Sequence, residues 1–309
     1  MFNPNLPVRK DGVWLALIAL TLIYAAARFL QILSGAVPMV VVVALHVIPP
    51  ALFALIHGAL CYGLRRILVF FAICLTLASA MESMGVLTGF PFGHYYFTGL
   101  MGPKLGEVPV LLSFAYVGLA YVSWTLARLI LRNLEGPVSG SLLIALPLLA
   151  SCIMLAWDLS MDPIWGTVLR AWIWQQGGAY FGVPLSNFVG WYLTQYVIYQ
   201  LFALYLRGHN DSTRRLPAGF WWLLVLLYGI CAAGNLLLLI PRNRPEFVFD
   251  PVGVQWRLTS ILFASASISI FVMGGFASLA WTSIDDRQLP TGKDASHLTR
   301  FALDDHAAN

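Results

Sequence analysis

Charge is what this chain lacks most. Only 10% of its 309 residues are Asp, Glu, Lys or Arg, where a soluble domain carries about 25%. With 59% hydrophobic residues and a mean hydropathy of +0.78, that scarcity excludes a soluble globular domain and indicates an integral membrane protein. Other absences narrow the chemistry. No HxxxH or HxxHH cluster occurs, which argues against membrane di-iron hydroxylases and desaturases. No GxGxxG opens a helix, so nothing suggests a dinucleotide site, and no large soluble segment is left to hold a nucleotide or nucleic acid. The four cysteines, Cys61, Cys74, Cys152 and Cys231, sit in or at the edge of apolar segments at spacings that match no metal or redox motif. They read as small packing residues. Neither a cofactor nor a metal is called for. The first apolar segment is too long for a signal-peptide core, and the lack of an internal repeat argues mildly against a transporter built on inverted repeats.

What is present is a series of apolar segments of spanning length, each near the roughly 20 residues a membrane helix needs. Eight are read, at about 13–33, 38–62, 66–88, 109–131, 141–161, 188–207, 219–240 and 258–283. The expected fold is therefore all-α: a polytopic membrane helix bundle of about eight transmembrane helices. Residues 1–284 are expected to form a single transmembrane domain, followed by a polar, mobile tail over 285–309. Twelve Lys and Arg residues fall on one set of helix ends and five on the other. The positive-inside rule then predicts a multi-pass membrane protein with both termini cytoplasmic.

Two connections, 89–108 and 162–187, are longer than the rest and rich in aromatic residues. Tyr95 and Tyr96 lie in the first, and Trp165, Trp172, Trp174 and Phe181 in the second. One reading is an aromatic belt at headgroup level. The other is a pair of re-entrant or interfacial segments that roof a cavity for an apolar substrate, a place where irregular backbone is tolerated at membrane depth.

The ionisable residues inside the spans are functional candidates. The stretch WDLSMDPIW places Asp158 and Asp162 four residues apart, on one face of a helix. Glu82 lies late in the third span, and His94 follows it. All of them approach the same half of the bilayer. Two carboxyls so close in a dry site do not both ionise, which leaves an acid beside a base. Pro163 is expected to end the fifth span at Asp162. In the sixth span, NFVGWYLTQYVIYQ, the residues Tyr192, Gln195, Tyr196 and Tyr199 share one face. They serve either as hydrogen-bonding glue between helices or as a cavity wall that holds water and faces a cation. His46 and His57 read as core histidines. The DxxxD spacing of Asp158 and Asp162 also occurs in membrane prenyltransferases, but Met154 stands where that motif has an Asn, and no second acidic motif follows.

Four strings together carry a resemblance: MESMGVLTGFPFGHYYF (81–97), GEVPV (106–110), WDLSMDP (157–163) and WIWQQGGAYFGVPLSNFVGW (172–191). They resemble the membrane-integral carotenoid biosynthesis proteins typified by bisanhydrobacterioruberin hydratase and the bacterial carotenoid 1,2-hydratases. The resemblance implies hydration of the terminal isopropylidene double bond of an acyclic carotenoid end group, without a cofactor. It implies as partners a lipophilic carotenoid, the lipid bilayer and other enzymes of the carotenoid pathway. Such chemistry asks for a protonated acid, a placed water and aromatic faces for a carbocation. On that reading Asp158 is the proton donor, with Asp162 or Glu82 as the partner that tunes it. His94, Tyr95, Tyr96, Asn187 and Gln195 are the candidate water ligands. Trp165, Trp172, Trp174, Phe181 and Trp191 line the polyene, with Tyr192 and Tyr196 on the flanking wall. Two alternatives stay open. One is another isoprenoid enzyme: a cyclase, an isomerase or a DxxxD prenyltransferase. The other is a carotenoid-binding or transport protein without catalysis.

Overall fold

A computed structural model describes residues 10–33, 37–134, 136–207, 216–240 and 243–285. The helices are α1 (Lys10–Leu30), α2 (Met39–Tyr62), α3 (Leu64–Thr88), α4 (Val110–Ile130), α5 (Leu142–Asp162), α6 (Leu185–Arg207) and α7 (Ala218–Leu237). An eighth rod is built from α8 (Leu258–Ser267), a π-helical segment (Ile268–Met273) and α9 (Gly274–Asp285). Seven of these rods are long and apolar enough to cross a membrane, and the chain is a multi-pass, all-α membrane bundle. The exception is α6, whose 23 residues would reach roughly 34 Å at 1.5 Å per residue. Its apolar character is diluted by Asn187, Thr194, Gln195, Gln200 and four tyrosines. It packs within the bundle against α3 and α5. The hydrophobic core runs without a break from Leu17 of α1 to Ile284 of α9.

The polar tail read at 285–309 lies beyond residue 285, outside the described residues. So do Arg9, Arg214, Arg215, Arg287, Lys293 and Arg300, six of the twelve basic residues on which the sequence-based orientation rests, and Arg242 on the opposing side.

The α-helix of α5 ends at Asp162, as Pro163 leads one to expect, but the rod and with it the span run on, contrary to the expectation. Asp162 keeps helical angles (φ −61°, ψ −42°) and Pro163 follows at φ −60°, ψ −31°. The rod continues to Val168 as a π-turn over Pro163–Val168. Proline removes a hydrogen bond and crowds the carbonyl four residues back, here that of Leu159. The wider π-turn is of the kind that relieves such crowding, and the orphaned Leu159 carbonyl accepts the Tyr180 hydroxyl at 3.2 Å. Burial pushes the Tyr180 phenol up to about 12, so it stays a donor. Replacing Tyr180 by Phe should cost about 1 kcal/mol, read as a lower unfolding midpoint in detergent.

The two aromatic connections join each other. Strand β1 (Tyr95–Phe97), from the first, pairs antiparallel with β4 (Trp172–Trp174), from the second, and sets Tyr95 opposite Trp174 and Phe97 opposite Trp172. Alternation along a strand turns Tyr95, Phe97, Trp172 and Trp174 inward and leaves Tyr96 exposed. Two further pairs, β2 (Lys104–Leu105) with β3 (Val108–Pro109) and β5 (Phe247–Phe249) with β6 (Gln255–Arg257), complete this end of the molecule.

That end collects the C-termini of α1, α3, α5 and α7 and the N-termini of α2, α4, α6 and α8. Cross-links between these termini fix the arrangement. The Tyr116 hydroxyl of α4 donates to Glu82 of α3. Asn187 of α6 donates to Asp158 and Asp162 of α5, and Arg28 of α1 donates to Asn235 of α7.

Candidate functional site

Beneath the β1–β4 cap the rods enclose a cavity. Its floor and walls come from Glu82 of α3, Leu112 of α4, Asp158, Met161 and Asp162 of α5, and Asn187 and Trp191 of α6. Its roof comes from Phe92, Tyr95, Phe97, Trp172 and Trp174. The free volume for a water centre is ≈ 30 Å³, above the roughly 10–15 Å³ that one water needs. Three carboxyls lie in this small, aromatic space at 3%, 1% and 1% exposure for Glu82, Asp158 and Asp162. No lysine, arginine or histidine lines it among the described residues.

The three carboxyls are not equivalent. Glu82 receives two phenols, one oxygen bonded by the Tyr95 hydroxyl and the other by the Tyr116 hydroxyl. Burial, then the neighbouring carboxylate, pushes the Tyr95 phenol well above its ordinary range, so it remains an O–H donor. Tyr116 is held in turn by a flat stack on Trp191, with ring centroids 4.6 Å apart. Asp162 accepts the Trp172 indole N–H at 2.7 Å and the Asn187 amide at 2.6 Å. Asp158 receives only the same Asn187 amide, at 3.3 Å, and its Oδ1 has no partner. The Trp174 indole N–H also lies on the Asp162 side of the cavity, close enough to act on that carboxyl but outside hydrogen-bond geometry.

Gly166, in the π-turn after Pro163, lets the two indoles close over Asp162. A Cβ there would lie 2.9 Å from Trp172 Nε1, 3.2 Å from Trp174 Nε1 and 3.4 Å from Asp162 Oδ1. Gly166→Ala should therefore loosen the Trp172–Asp162 bond at a cost of about 1–3 kcal/mol. Tryptophan fluorescence and the unfolding midpoint should both report it.

Of the residues singled out in the sequence, Glu82, Asp158, Asp162, Tyr95, Trp172, Trp174, Asn187 and Trp191 come together at this cavity. The others do not. His94 is exposed, its ring against Gly89. Tyr96 points outward because it is the middle residue of β1. Phe181 packs on Tyr180 and Trp256. Trp165 lines two neighbouring cavities. On α6 the tyrosine face divides: Gln195 and Tyr199 are buried, Tyr192 and Tyr196 half-buried, and Tyr196 donates to Gln200 at 2.9 Å. Tyr116, Leu112 and Met161 were not foreseen, while Phe92 and Phe97 belong to the first aromatic connection, read as the roof of a cavity. A tyrosine in the fourth span, at the depth of Glu82, was the available signal for Tyr116.

The model of the family described as carotenoid biosynthesis protein matches residues 34–249. The chain belongs to this family. The matched stretch contains every residue that lines the carboxyl cavity of this carotenoid biosynthesis protein. It is 35% identical over 133 residues to bisanhydrobacterioruberin hydratase of Haloarcula japonica, a match that covers 42% of this chain and 43% of the relative. The chain thus aligns with less than half the length of that relative. No solved structure matches it.

Proposed function

We propose that this family member is a carotenoid hydratase that adds water to the terminal isopropylidene double bond of an acyclic carotenoid end group. The observation that carries the reading is the inequality of the three buried carboxyls. Glu82 and Asp162 have donors fixed on them and are set as acceptors. Asp158, a wall residue of the cavity, is the one of the three that keeps an oxygen without a donor among the described residues, the position for a carboxyl that carries a proton.

In the reaction, the Asp158 O–H bond breaks and its proton goes to the less substituted alkene carbon. The π pair forms the new C–H bond, and the other carbon, bearing two methyl groups, becomes a tertiary cation. The faces of Trp172, Trp174, Trp191 and Tyr95 stabilise that cation without attacking it. A water at the cavity, held by Asn187 and Asp162, forms the C–O bond and returns a proton to Asp158. The sum is alkene plus water to tertiary alcohol. No oxidant is consumed and the acid is regenerated. A bilayer-dissolved substrate explains why the site lies inside the bundle.

The lining also bears on the prenyltransferase alternative. A diphosphate site also needs basic side chains beside any metal ion its carboxylates hold, and no lysine, arginine or histidine lines the carboxyl cavity among the described residues.

The test is expression of the full chain in a non-pigmented bacterium engineered to make lycopene, and in one making a monocyclic carotene, with the pigments analysed by liquid chromatography and mass spectrometry. The expected product is more polar and heavier by one water, with its polyene absorption unchanged. A new pigment of unchanged mass would instead indicate a cyclase or isomerase. Unchanged pigments, with the protein present in the membrane, would count against both.

A further inference from the structure

Next to the carboxyl cavity lies a second chamber of ≈ 60 Å³. The two share Leu112, Met161 and Trp172 as wall residues. The second chamber in turn shares Met161 and Trp165 with a larger cavity of ≈ 320 Å³. Its remaining walls are mostly apolar, apart from Tyr24, Arg28 and His46. Arg28 and His46 are 6% and 9% exposed, and neither has a use in the reaction above.

A guanidinium inside a membrane bundle is costly and is normally paired. Arg28 has no carboxylate partner among the described residues. Its Nη2 donates to the Cys231 carbonyl at 3.0 Å and to the Asn235 side-chain oxygen. Its Nε is buried without a partner among the described residues. Gly234 makes room for it, since a Cβ there would fall 1.8 Å from Nε. His46 is held on its own helix, with Nδ1 2.7 Å from the carbonyl of Val42, one turn back. A carbonyl can only accept, so Nδ1 carries the hydrogen. That leaves Nε2 with a lone pair, and it too is buried without a partner. Tyr24 and Trp165 fix the imidazole edge-on at centroid distances of 6.2 and 6.4 Å. Two wall residues of this otherwise aromatic and aliphatic chamber therefore carry an unused N–H donor and an unused nitrogen acceptor among the described residues. A hydroxyl is the group that both accepts and donates. A hydrocarbon leaves both atoms unsatisfied, and an anion leaves the His46 lone pair opposed.

We propose that the Arg28–His46 chamber is a second recognition site of this protein, taking a hydroxyl group of its lipophilic ligand: the oxygen accepts from Arg28 and the proton is donated to His46 Nε2. The inference rests on the reading of the first cavity only in that the ligand is a polyene. The hydroxyl has two possible sources. It is either carried by the substrate near the double bond that reacts, or it is the tertiary alcohol just formed, held on its way to the larger cavity.

Binding separates this proposal from catalysis. The full-length Asp158→Asn protein, in lipid nanodiscs, is titrated with three polyenes: an acyclic carotene hydrocarbon, an acyclic carotenoid with a hydroxyl beside an intact terminal double bond, and the hydrated alcohol. Quenching of tryptophan emission reports occupancy. At least one alcohol should bind about tenfold or more tightly than the hydrocarbon, since leaving the two buried atoms unpaired is costly. Preference for the first alcohol assigns the site to the substrate, and preference for the second assigns it to the product. In His46→Leu and Arg28→Met backgrounds the preference should fall to near unity, with hydrocarbon affinity unchanged. His46→Leu is the variant that keeps the test open if Arg28→Met fails to fold, because His46 bonds only within its own helix. Equal binding of hydrocarbon and both alcohols, or a preference that survives His46→Leu, would overturn the proposal. Either of these alongside water addition by the wild type would leave the hydratase reading intact. A preference that disappears in the variants, in a protein that hydrates nothing, would support the hydroxyl site and sink the hydratase.

Discussion

Asp158→Asn should abolish water addition while the protein still accumulates in the membrane. The substitution keeps the shape of the side chain and removes only the acid. Its amide oxygen can still accept from Asn187, whose donation to Asp158 is long at 3.3 Å, so the fold loses little. The reaction loses its proton source, and general acids contribute about 10²–10⁴-fold. Conversion per unit of membrane protein, measured from extracted pigments, should drop by at least that range. Asp162→Asn should behave differently. Asp162 accepts from both Trp172 and Asn187, and an amide in its place must turn its N–H₂ toward one of those donors. That variant should lose thermal stability along with activity. If Asp158→Asn turns over normally, another group supplies the proton.

The second large effect concerns Glu82. Glu82→Leu would leave the Tyr95 and Tyr116 hydroxyls buried with no acceptor from this side chain. Each such orphan costs about 1–3 kcal/mol, and two together about 2–6 kcal/mol, enough to deplete a marginally stable fold. The β1–β4 cap is also tied to α3 through Tyr95, so the roof of the cavity should loosen with it. The expected result is poor accumulation, or a sharply lowered unfolding midpoint. Glu82→Gln, which keeps one acceptor oxygen, should fall between Leu and wild type. The diagnostic variant is the triple change Glu82→Leu, Tyr95→Phe, Tyr116→Phe. Removing both donors and acceptor together is close to neutral when shape is kept, so stability should return. A triple variant as unstable as Glu82→Leu alone would show that the cluster is not held by these hydrogen bonds.

The helices were legible because hydropathy over about 20 residues is a one-dimensional signal that tertiary structure seldom overrides. α6 was legible from its length and position, although its polar residues take it below the apolar standard the other rods meet. The carboxyls were legible because charge in a span is rare enough to count. Three things were not. Pairing of β1 with β4 joins chain segments some 75 residues apart, and neither three-residue strand is long enough to show a period. The π-turn that carries the fifth span past Asp162 is accompanied by the Tyr180 contact to the Leu159 carbonyl, which no local rule contains, so the pre-proline preference gave the end of α5 but not the end of the span. His94 adjoins Tyr95 in sequence but lies outside, because strand alternation sends neighbours to opposite faces. Arg28 and His46 belong to the same lesson. Nothing in the sequence shows that the fold brings Arg28 and His46, each with one unpartnered nitrogen, to a single chamber.

The measurement that bears most directly on the central claim is the origin of the oxygen. Membranes carrying the wild-type chain, or Asp158→Asn, are given an acyclic carotene in water enriched in both heavy oxygen and deuterium, under ordinary air. The account predicts a wild-type product with one heavy oxygen at the tertiary carbon and one deuterium on the neighbouring carbon for each hydrated end, and no such product from Asp158→Asn. An alcohol whose oxygen comes from air, or a heavy-oxygen product made equally well by Asp158→Asn, would contradict it.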